Sequence, residues 1–199
     1  MIISFLAITI QVIFDQYTKY LAIQYLKGNS GIVLIDGVLQ LLYIENRGAA
    51  FGILQNSIVL FCIITAIILI AIIYVYIRMP VIKKYAPLFV LLSFLTAGAV
   101  GNLIDRIMNG FVVDFIYFSL IDFPVFNVAD IYVTVSVTLI IILSLFLYSD
   151  DEFAFLKLNR TKLKDNTYLA DVDSNELEQS DNPDEHVEES ITNENVNGD

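Results

Sequence analysis

Residues 98–130, GAVGNLIDRIMNGFVVDFIYFSLIDFPVFNVAD, decide the fold because they place a cluster of charge between two strongly apolar runs. The charged side chains in this stretch are Asp105, Arg106, Asp114, Asp122 and Asp130. An ionisable side chain at the centre of a membrane helix costs about 2.5–3.5 kcal/mol on insertion scales, so such groups persist mostly where they have a function. The stretch therefore predicts a polar functional site at the edge of a membrane domain.

The overall composition is that of a membrane protein, since 57% of the 199 residues are hydrophobic and the mean hydropathy is +0.70. The net charge of −11 arises mainly at the C-terminal end, because residues 165–199 hold 12 of the 22 acids and no Lys or Arg. The rest of the chain is nearly neutral and shows no basic patch for nucleic acid. We predict that residues 151–199 form a cytoplasmic tail, disordered from about residue 165.

The scarcity of cysteine and histidine limits the chemistry. The single Cys62 excludes an intramolecular disulfide, and the single His186 lies in the acidic tail. The body therefore has no imidazole for a Ser–His or Cys–His pair or for a His-rich zinc site. If the protein is a hydrolase, carboxylates are therefore the main candidates for its chemistry, with a Ser–Lys pair as the alternative.

Four apolar runs predict four transmembrane helices, at about residues 2–23, 58–77, 86–104 and 125–148. Arg78, Lys83 and Lys84 lie in the loop between the second and third runs, which places this loop and both termini in the cytoplasm. Between the first two runs, residues 28–56 predict a small β-element on the outer side, with Asp36-Gly37 as its hairpin turn. We predict an all-α membrane protein whose four-helix transmembrane domain, residues 1–150, carries this β-element.

Polar side chains recur on one face of two predicted helices. Asp15 precedes Lys19 by one turn, which is the favourable order for an ion pair; the pair either locks the helix to its neighbours or takes a chemical role. Asn102, Asp105 and Arg106 share a face at the outer end of the third helix. In one interpretation, Asp105 and Arg106 anchor this helix end at the membrane interface. In the other, Asn102 and Arg106 hold a carbonyl or headgroup of a substrate.

Asp114 and Asp130 are the candidates for carboxylate chemistry. Asp114 has apolar neighbours on both sides, which disfavours its charged form. Asn127, Asp130 and Thr134 predict a polar stripe that faces the bundle, with Asp130 about 7–8 Å below the start of the helix. Two adjacent carboxylates do not readily both ionise, so one keeps a proton while the other activates water. A structural polar cluster and an ion pathway remain the alternatives.

Five motifs occur along the chain in a fixed order. They are Asp15-Gln16-Tyr17-Thr18-Lys19, Asn46-Arg47-Gly48-Ala49-Ala50-Phe51-Gly52, Gly101-Asn102-Leu103-Ile104-Asp105-Arg106, Val112-Val113-Asp114-Phe115 and Phe126-Asn127-Val128-Ala129-Asp130. Together they resemble the lipoprotein signal peptidases, the bacterial signal peptidase II family, over about residues 1–150. Asp122 lies in none of these motifs, and we interpret it as an interfacial surface acid.

The resemblance implies an aspartic endopeptidase of the bacterial plasma membrane whose active site lies near the outer face. Its partners would be membrane lipids and prolipoproteins whose lipobox cysteine carries a diacylglyceryl group, and the cut falls just before that cysteine. Asp114 and Asp130 match the catalytic pair. The positions that match substrate-binding or supporting residues are Asn46, Asn102, Arg106, Asn127, Asp105, Asp15 and Lys19. The family needs no metal or cofactor, and we expect a monomer.

Three other functions are compatible with the same residues. A transporter or channel subunit would use Asp15, Asp105 and Asp130 as an ion path, although four spans without broken or repeated halves argue against a typical transporter. A membrane scaffold would recruit a partner through its acidic tail. A Ser–Lys protease would lose activity with Lys19→Ala and tolerate Asp114→Asn.

Deletion of residues 165–199 separates the scaffold from the peptidase. The tail holds none of the five motifs, so the truncated chain should cleave a lipidated precursor at close to the full-length rate in an in vitro assay. Loss of function on truncation would favour the scaffold.

Overall fold

The computed structural model describes residues 2–48 and 57–148, together with Phe153 and Leu156. Within these residues the chain forms four long α-helices and three β-strands. They are α1 (Ile2–Leu26), β1 (Ile32–Ile35), β2 (Leu39–Asn46), α2 (Ile58–Arg78), α3 (Ala86–Asn109), β3 (Val112–Phe118) and α4 (Val128–Phe146). The predicted disordered tail from residue 165 lies outside the described residues.

Three of the helices, α2, α3 and α4, are long and apolar enough to cross a membrane. The most apolar is α2, with 21 residues and a mean hydropathy of 3.3. The 25-residue helix α1 is long enough, but polar residues such as Gln11, Asp15 and Lys19 lower its hydropathy. Length and composition thus support three of the four predicted spans.

The start of α4 differs from the prediction. Asn127 has an extended backbone and caps the helix, so α4 begins at Val128 instead of near residue 125. Asp130 therefore lies in the first turn of the helix and not several ångströms below its start. The predicted polar stripe is also wrong at Thr134, which is exposed. The buried face of α4 contains Ser136, and Thr134 lies two residues away, roughly 200° around the helix.

The small sheet contains the predicted hairpin and one strand that the sequence did not predict. Strands β1 and β2 pair antiparallel, and Gly37 in the turn between them has a positive φ of 67°. The third strand, β3, pairs antiparallel with β2 and places Asp114 opposite Ile44. Its first four residues are all buried. Residues buried on both faces of a strand give a continuous apolar run without alternation, so the sequence pattern alone does not indicate this strand.

The sheet lies against the end of α1. Ala22 and Leu26 of α1 form one buried cluster with Val113 and Phe115 of β3. The polar face of α1, one to two turns earlier, is thereby held next to the strand that carries Asp114. Packing of apolar side chains thus sets the position of the charged ones.

Close contact of α3 with its neighbours depends on two glycines. A Cβ at Gly98 would meet the carbonyl oxygen of Ala129 in α4, and a Cβ at Gly101 would overlap with Oδ2 of Asp15 in α1. These are the two positions at which a side chain would separate the three helices that hold the polar cluster.

The Gly101→Ala variant should therefore be destabilised, because its methyl group would displace the Asp15 carboxylate. Overpacking of this kind costs about 1–3 kcal/mol. Thermal unfolding in detergent measures the loss, with Ala99→Val on a partly exposed position of the same helix as the control. An equal loss for Ala99→Val would contradict this explanation.

Candidate active site

Asp114 is a buried carboxyl group held between the sheet and the start of α4; its exposed fraction is 1%. Its Oδ1 accepts a hydrogen bond from Nδ2 of Asn127 at 2.6 Å, and its Oδ2 accepts one from Nδ2 of Asn46 at 2.8 Å. Asn46 is the last residue of β2, and its own Oδ1 accepts from the N–H of Gly48 at 3.0 Å. This bond turns the amide so that its NH₂ group faces Asp114.

Asp130 is held by α3 and by the cap of its own helix. Its Oδ1 accepts a hydrogen bond from Nδ2 of Asn102 at 2.8 Å, and its Oδ2 accepts from the backbone N–H of Asn127 at 3.1 Å. The side chain of Asn127 accepts from the N–H of Asp130 in return, at 3.0 Å. The two residues thus form a reciprocal capping box, which fixes both the helix start and the carboxyl group.

Asn127 links the two carboxyl groups and is completely buried. Because its Oδ1 is occupied by the N–H of Asp130, its NH₂ group faces the other way and donates to Asp114 and, at 3.2 Å, to Oδ1 of Asn102. The structure therefore places Asp114 and Asp130 on two sides of one asparagine. Sequence spacing alone left open whether they meet.

The surroundings of Asp114 favour its protonated form. Burial, and then the negative charge of Asp130, raise the pKa of Asp114 to about 7, against the lowering effect of the hydrogen bonds from Asn46 and Asn127. Near neutral pH, a substantial fraction of Asp114 therefore carries a proton. A carboxyl group in this state can donate a hydrogen bond as well as accept one.

A buried ionic cluster supports the pair from the side of α1. The Nζ atom of Lys19 lies 2.9 Å from Oδ2 of Asp15 and 3.1 Å from Oδ2 of Asp105, and it donates to Oδ1 of Asn102 at 2.9 Å. The predicted Asp15–Lys19 pair is present. Asp105 is 2% exposed and accepts from the N–H of Val113, so it does not anchor a helix end at the interface.

Arg106 is a partly buried cation beside the cluster. Its Nη1 atom donates to the carbonyl oxygen of Asn102 at 3.3 Å, and its guanidinium carbon lies 5.1 Å from the centre of the Phe61 ring. The guanidinium interacts electrostatically with Asp114 and Asp130. A guanidinium has five N–H donors, so this position leaves it able to bind a carbonyl oxygen.

Sequence reasoning assigned no role to Gln16. Its Nε2 atom lies 3.2 Å from Oδ2 of Asp15, 3.1 Å from Oδ1 of Asp105 and 3.2 Å from the carbonyl oxygen of Gly101. The available signal was its place inside the first of the five motifs. Adjacent helix positions face different ways, which is why it was passed over.

The remaining acid of the opening stretch lies apart from this site. Asp122 is exposed, and its Oδ1 accepts a hydrogen bond from the hydroxyl group of Tyr117 at 2.7 Å. In the part of the chain that the structure describes, no group of three or more His, Cys, Asp or Glu side chains is arranged to hold a metal ion.

Comparison with known proteins decides the family. The model of the family described as signal peptidase (SPase) II matches residues 7–146. The chain belongs to the signal peptidase II family. All the site residues named above lie inside the matched region, whereas the acidic tail lies beyond it.

Three relatives in the signal peptidase II family match 128 to 141 residues of this chain. The lipoprotein signal peptidase of Brevibacillus brevis is 48% identical over 128 residues, which are 64% of this chain and 85% of the relative. That of Caldanaerobacter subterraneus is 44% identical over 136 residues, covering 68% and 90%. The Staphylococcus aureus lipoprotein signal peptidase is 44% identical over 141 residues, covering 70% and 85%.

Two solved structures, both described as bacterial membrane enzymes, share the fold of this signal peptidase II chain. One superposes with a TM-score of 0.65 at 42% identity and covers 73% of this chain and 88% of its own. The other superposes with a TM-score of 0.64 at 41% identity and covers 75% and 96%. The family and fold are therefore shown by sequence and by structure.

The Asp114→Asn variant tests the raised pKa through the pH dependence of stability. The folded protein binds the Asp114 proton more tightly than the unfolded chain does, so the wild type loses stability as pH rises from the ordinary value of 3.8 to about 7. Asparagine does not titrate. The melting temperature of Asp114→Asn minus that of the wild type should therefore increase as the pH rises from 3.8 to about 7, and it should stay constant at higher pH.

Melting curves in detergent, recorded from about pH 4 to about pH 9, check this expectation. The exposed Asp122→Asn is the matched control and should show no such window. A constant difference between Asp114→Asn and the wild type would contradict the raised pKa.

Proposed function

We propose that this chain is a membrane aspartic endopeptidase that removes the signal peptide from diacylglyceryl-modified prolipoproteins and cuts just before the lipidated cysteine. The observation that carries the proposal is the bonding of Asn127 to both Asp114 and Asp130. Two carboxyl groups from different elements share one positioning residue. The substrate class follows from the relatives named lipoprotein signal peptidase.

The environments of the two carboxyl groups support a division of roles. A pKa of about 7 suits Asp114 to hold the proton, which leaves Asp130 as the ionised general base. Asp130 takes a proton from a water molecule, and the water oxygen forms a bond to the scissile carbonyl carbon. Asp114 donates a hydrogen bond to the carbonyl oxygen as negative charge develops on it.

Collapse of the tetrahedral intermediate completes the reaction. The carbon–nitrogen bond breaks, and the leaving nitrogen receives a proton from the carboxyl pair, so that the product amine departs neutral. The pair returns to one proton shared over two carboxyl groups. The two groups titrate as a unit, so a measured pH–rate profile reports on the pair.

Arg106 and the asparagines are proposed to hold the substrate backbone beside this pair. Arg106 binds the carbonyl oxygen of Asn102 through Nη1 and is charged next to both carboxyl groups. Asn46, Asn102 and Asn127 donate to the two carboxylates. Their first role is thus to order the pair, and Arg106 is the residue best placed to bind a substrate carbonyl.

We propose α1 as the fourth membrane span. Its outer surface carries exposed apolar side chains, including Ile3, Phe5 and Ile10, whereas Asp15 and Lys19 are buried inside the protein. A lipid environment suits this distribution, because the charged groups face the bundle. With the basic loop at Arg78 and Lys83–Tyr85 in the cytoplasm, the start of α4 and the carboxyl pair lie near the outer face of the plasma membrane.

The domain of residues 1–150 is proposed to act as a monomer with membrane lipids and the lipidated precursor as its partners. Among the described residues, the side chains that hydrogen-bond to the pair, Asn46, Asn102 and Asn127, belong to one chain, which supports a site formed within a monomer. The proposal needs no metal or cofactor, because the carboxyl pair activates water directly.

Asp114→Asn and Asp130→Asn should each remain inserted in the membrane but lose prolipoprotein cleavage. Removing one member of a catalytic unit lowers kcat by roughly 10³-fold or more. A lipidated precursor in detergent or proteoliposomes measures the rate. Asp122→Asn makes the same chemical change at an exposed position and should cleave normally.

Normal processing by both Asp114→Asn and Asp130→Asn would overturn the proposal. Ion flux in vesicles without proteolysis would instead favour the transporter, and loss with Lys19→Ala alone would favour a Ser–Lys protease.

A further inference from the structure

The ammonium group of Lys19 has all three of its donors engaged. Its Nζ atom lies 2.9 Å from Oδ2 of Asp15, 3.1 Å from Oδ2 of Asp105 and 2.9 Å from Oδ1 of Asn102. Lys19 is 2% exposed, so these contacts are made without competition from bulk water. A buried ammonium with three oxygen partners has a defined position and direction.

This position determines how the Asn102 amide is turned. An ammonium can only donate, so the amide must present its oxygen to Lys19 and its NH₂ group to Oδ1 of Asp130, at 2.8 Å. The opposite orientation would place an NH₂ donor against a positive charge. Lys19 therefore selects the Asn102 orientation that donates to Asp130.

The same ammonium acts on Asp114 through Asp105. Oδ2 of Asp105 contacts Lys19 and also accepts from the N–H of Val113 at 3.1 Å. Val113 precedes Asp114 on β3. One charge thus positions Asp130 through an amide and Asp114 through the strand that carries it.

Gln16 donates hydrogen bonds to the two carboxylates that form ion pairs with Lys19. Its Nε2 atom lies 3.1 Å from Oδ1 of Asp105, the oxygen that Lys19 leaves free, and 3.2 Å from Oδ2 of Asp15. It also lies 3.2 Å from the carbonyl oxygen of Gly101. Because the Gln16 amide is neutral, it donates hydrogen bonds to these oxygens without adding charge to the cluster.

We infer that Gln16 and Lys19 together are positioning residues for hydrolysis: from α1 they hold Asp105 and the Asn102 amide, which in turn orient Asp114 and Asp130. The inference rests on the proposed function of the carboxyl pair. Gln16 and Lys19 do not touch the reacting atoms, so they affect the turnover step and not the affinity for the lipidated precursor. Misplacement of reacting groups costs turnover steeply, by about 10- to 100-fold for shifts near 1 Å.

Gln16→Met tests the inference, because methionine keeps the length of glutamine and removes its donors. Full-length protein in proteoliposomes should show kcat lowered by about tenfold or more, with KM for the lipidated precursor within about twofold of wild type. Gln11→Met is the matched control: the same change on the same helix, where the buried Oε1 of Gln11 has no hydrogen-bond partner among the described residues. Its kcat should stay at the wild-type value.

A second variant, Gln16→Asn, keeps the amide and withdraws it by one methylene, so it tests the same contacts without burying an apolar group. It decides the question if Gln16→Met does not fold. A fall in kcat with unchanged KM and a melting temperature equal to that of Gln11→Met supports positioning. Unchanged kcat in a folded Gln16 variant, or a fall that Gln11→Met reproduces, overturns it.

Asp114→Asn and Asp130→Asn, assayed in parallel, separate this inference from the proposed function. If both cleave normally, the carboxyl pair is not the catalyst and both proposals fail. If both are inactive while Gln16→Met and Gln16→Asn keep wild-type kcat, the proposed function stands and only the positioning role is wrong.

Discussion

The buried ion cluster around Lys19 is the constraint on which the rest of the structure depends. Two carboxylates and an ammonium are taken out of water together, and such groups are tolerated only when their charges and hydrogen bonds are mutually satisfied. Asp15 also accepts from the N–H of Ala129, at 2.9 Å, so the cluster joins α1 to the first turn of α4 as well as to α3. The absence of a side chain at Gly101 gives Asp15 its space.

The two proposed catalytic groups owe their different surroundings to this arrangement. Asp114 lies in the buried first half of its strand, where both of its oxygens accept from asparagine amides and its pKa rises to about 7. Asp130 lies at a helix start, where its carboxyl group accepts from the backbone N–H of Asn127. The two carboxyl groups thus lie in different structural settings, one on a strand and one in the first turn of a helix. The proposed division of roles between them rests on the raised pKa of Asp114.

Much of the site was readable from spacing, because helix periodicity is a reliable geometric rule. It pairs Asp15 with Lys19 and places Asn102 and Asp105 on one face. Prediction from helix periodicity is wrong where the chain changes from helix to strand or where a turn sets the start of a helix. The strand at Val112–Phe118 is buried over its first four residues and lacks alternation there, and the cap at Asn127 sets the start of α4 at Val128. Thr134 is exposed. Gln16 was missed because a long side chain reaches beyond its own helix face.

The cap of α4 has a consequence for which residues could replace Asn127. Asparagine, aspartate, serine and threonine are ordinarily close to interchangeable at a helix N-cap, since each needs only one oxygen that accepts from the first turn. At this cap the same side chain must accept from Asp130 and also donate two hydrogen bonds, to Asp114 and to Asn102. Aspartate has no donor and a hydroxyl group has one, so among the common caps only asparagine meets all three demands. A position that stability alone would leave open to four amino acids is thereby restricted to one.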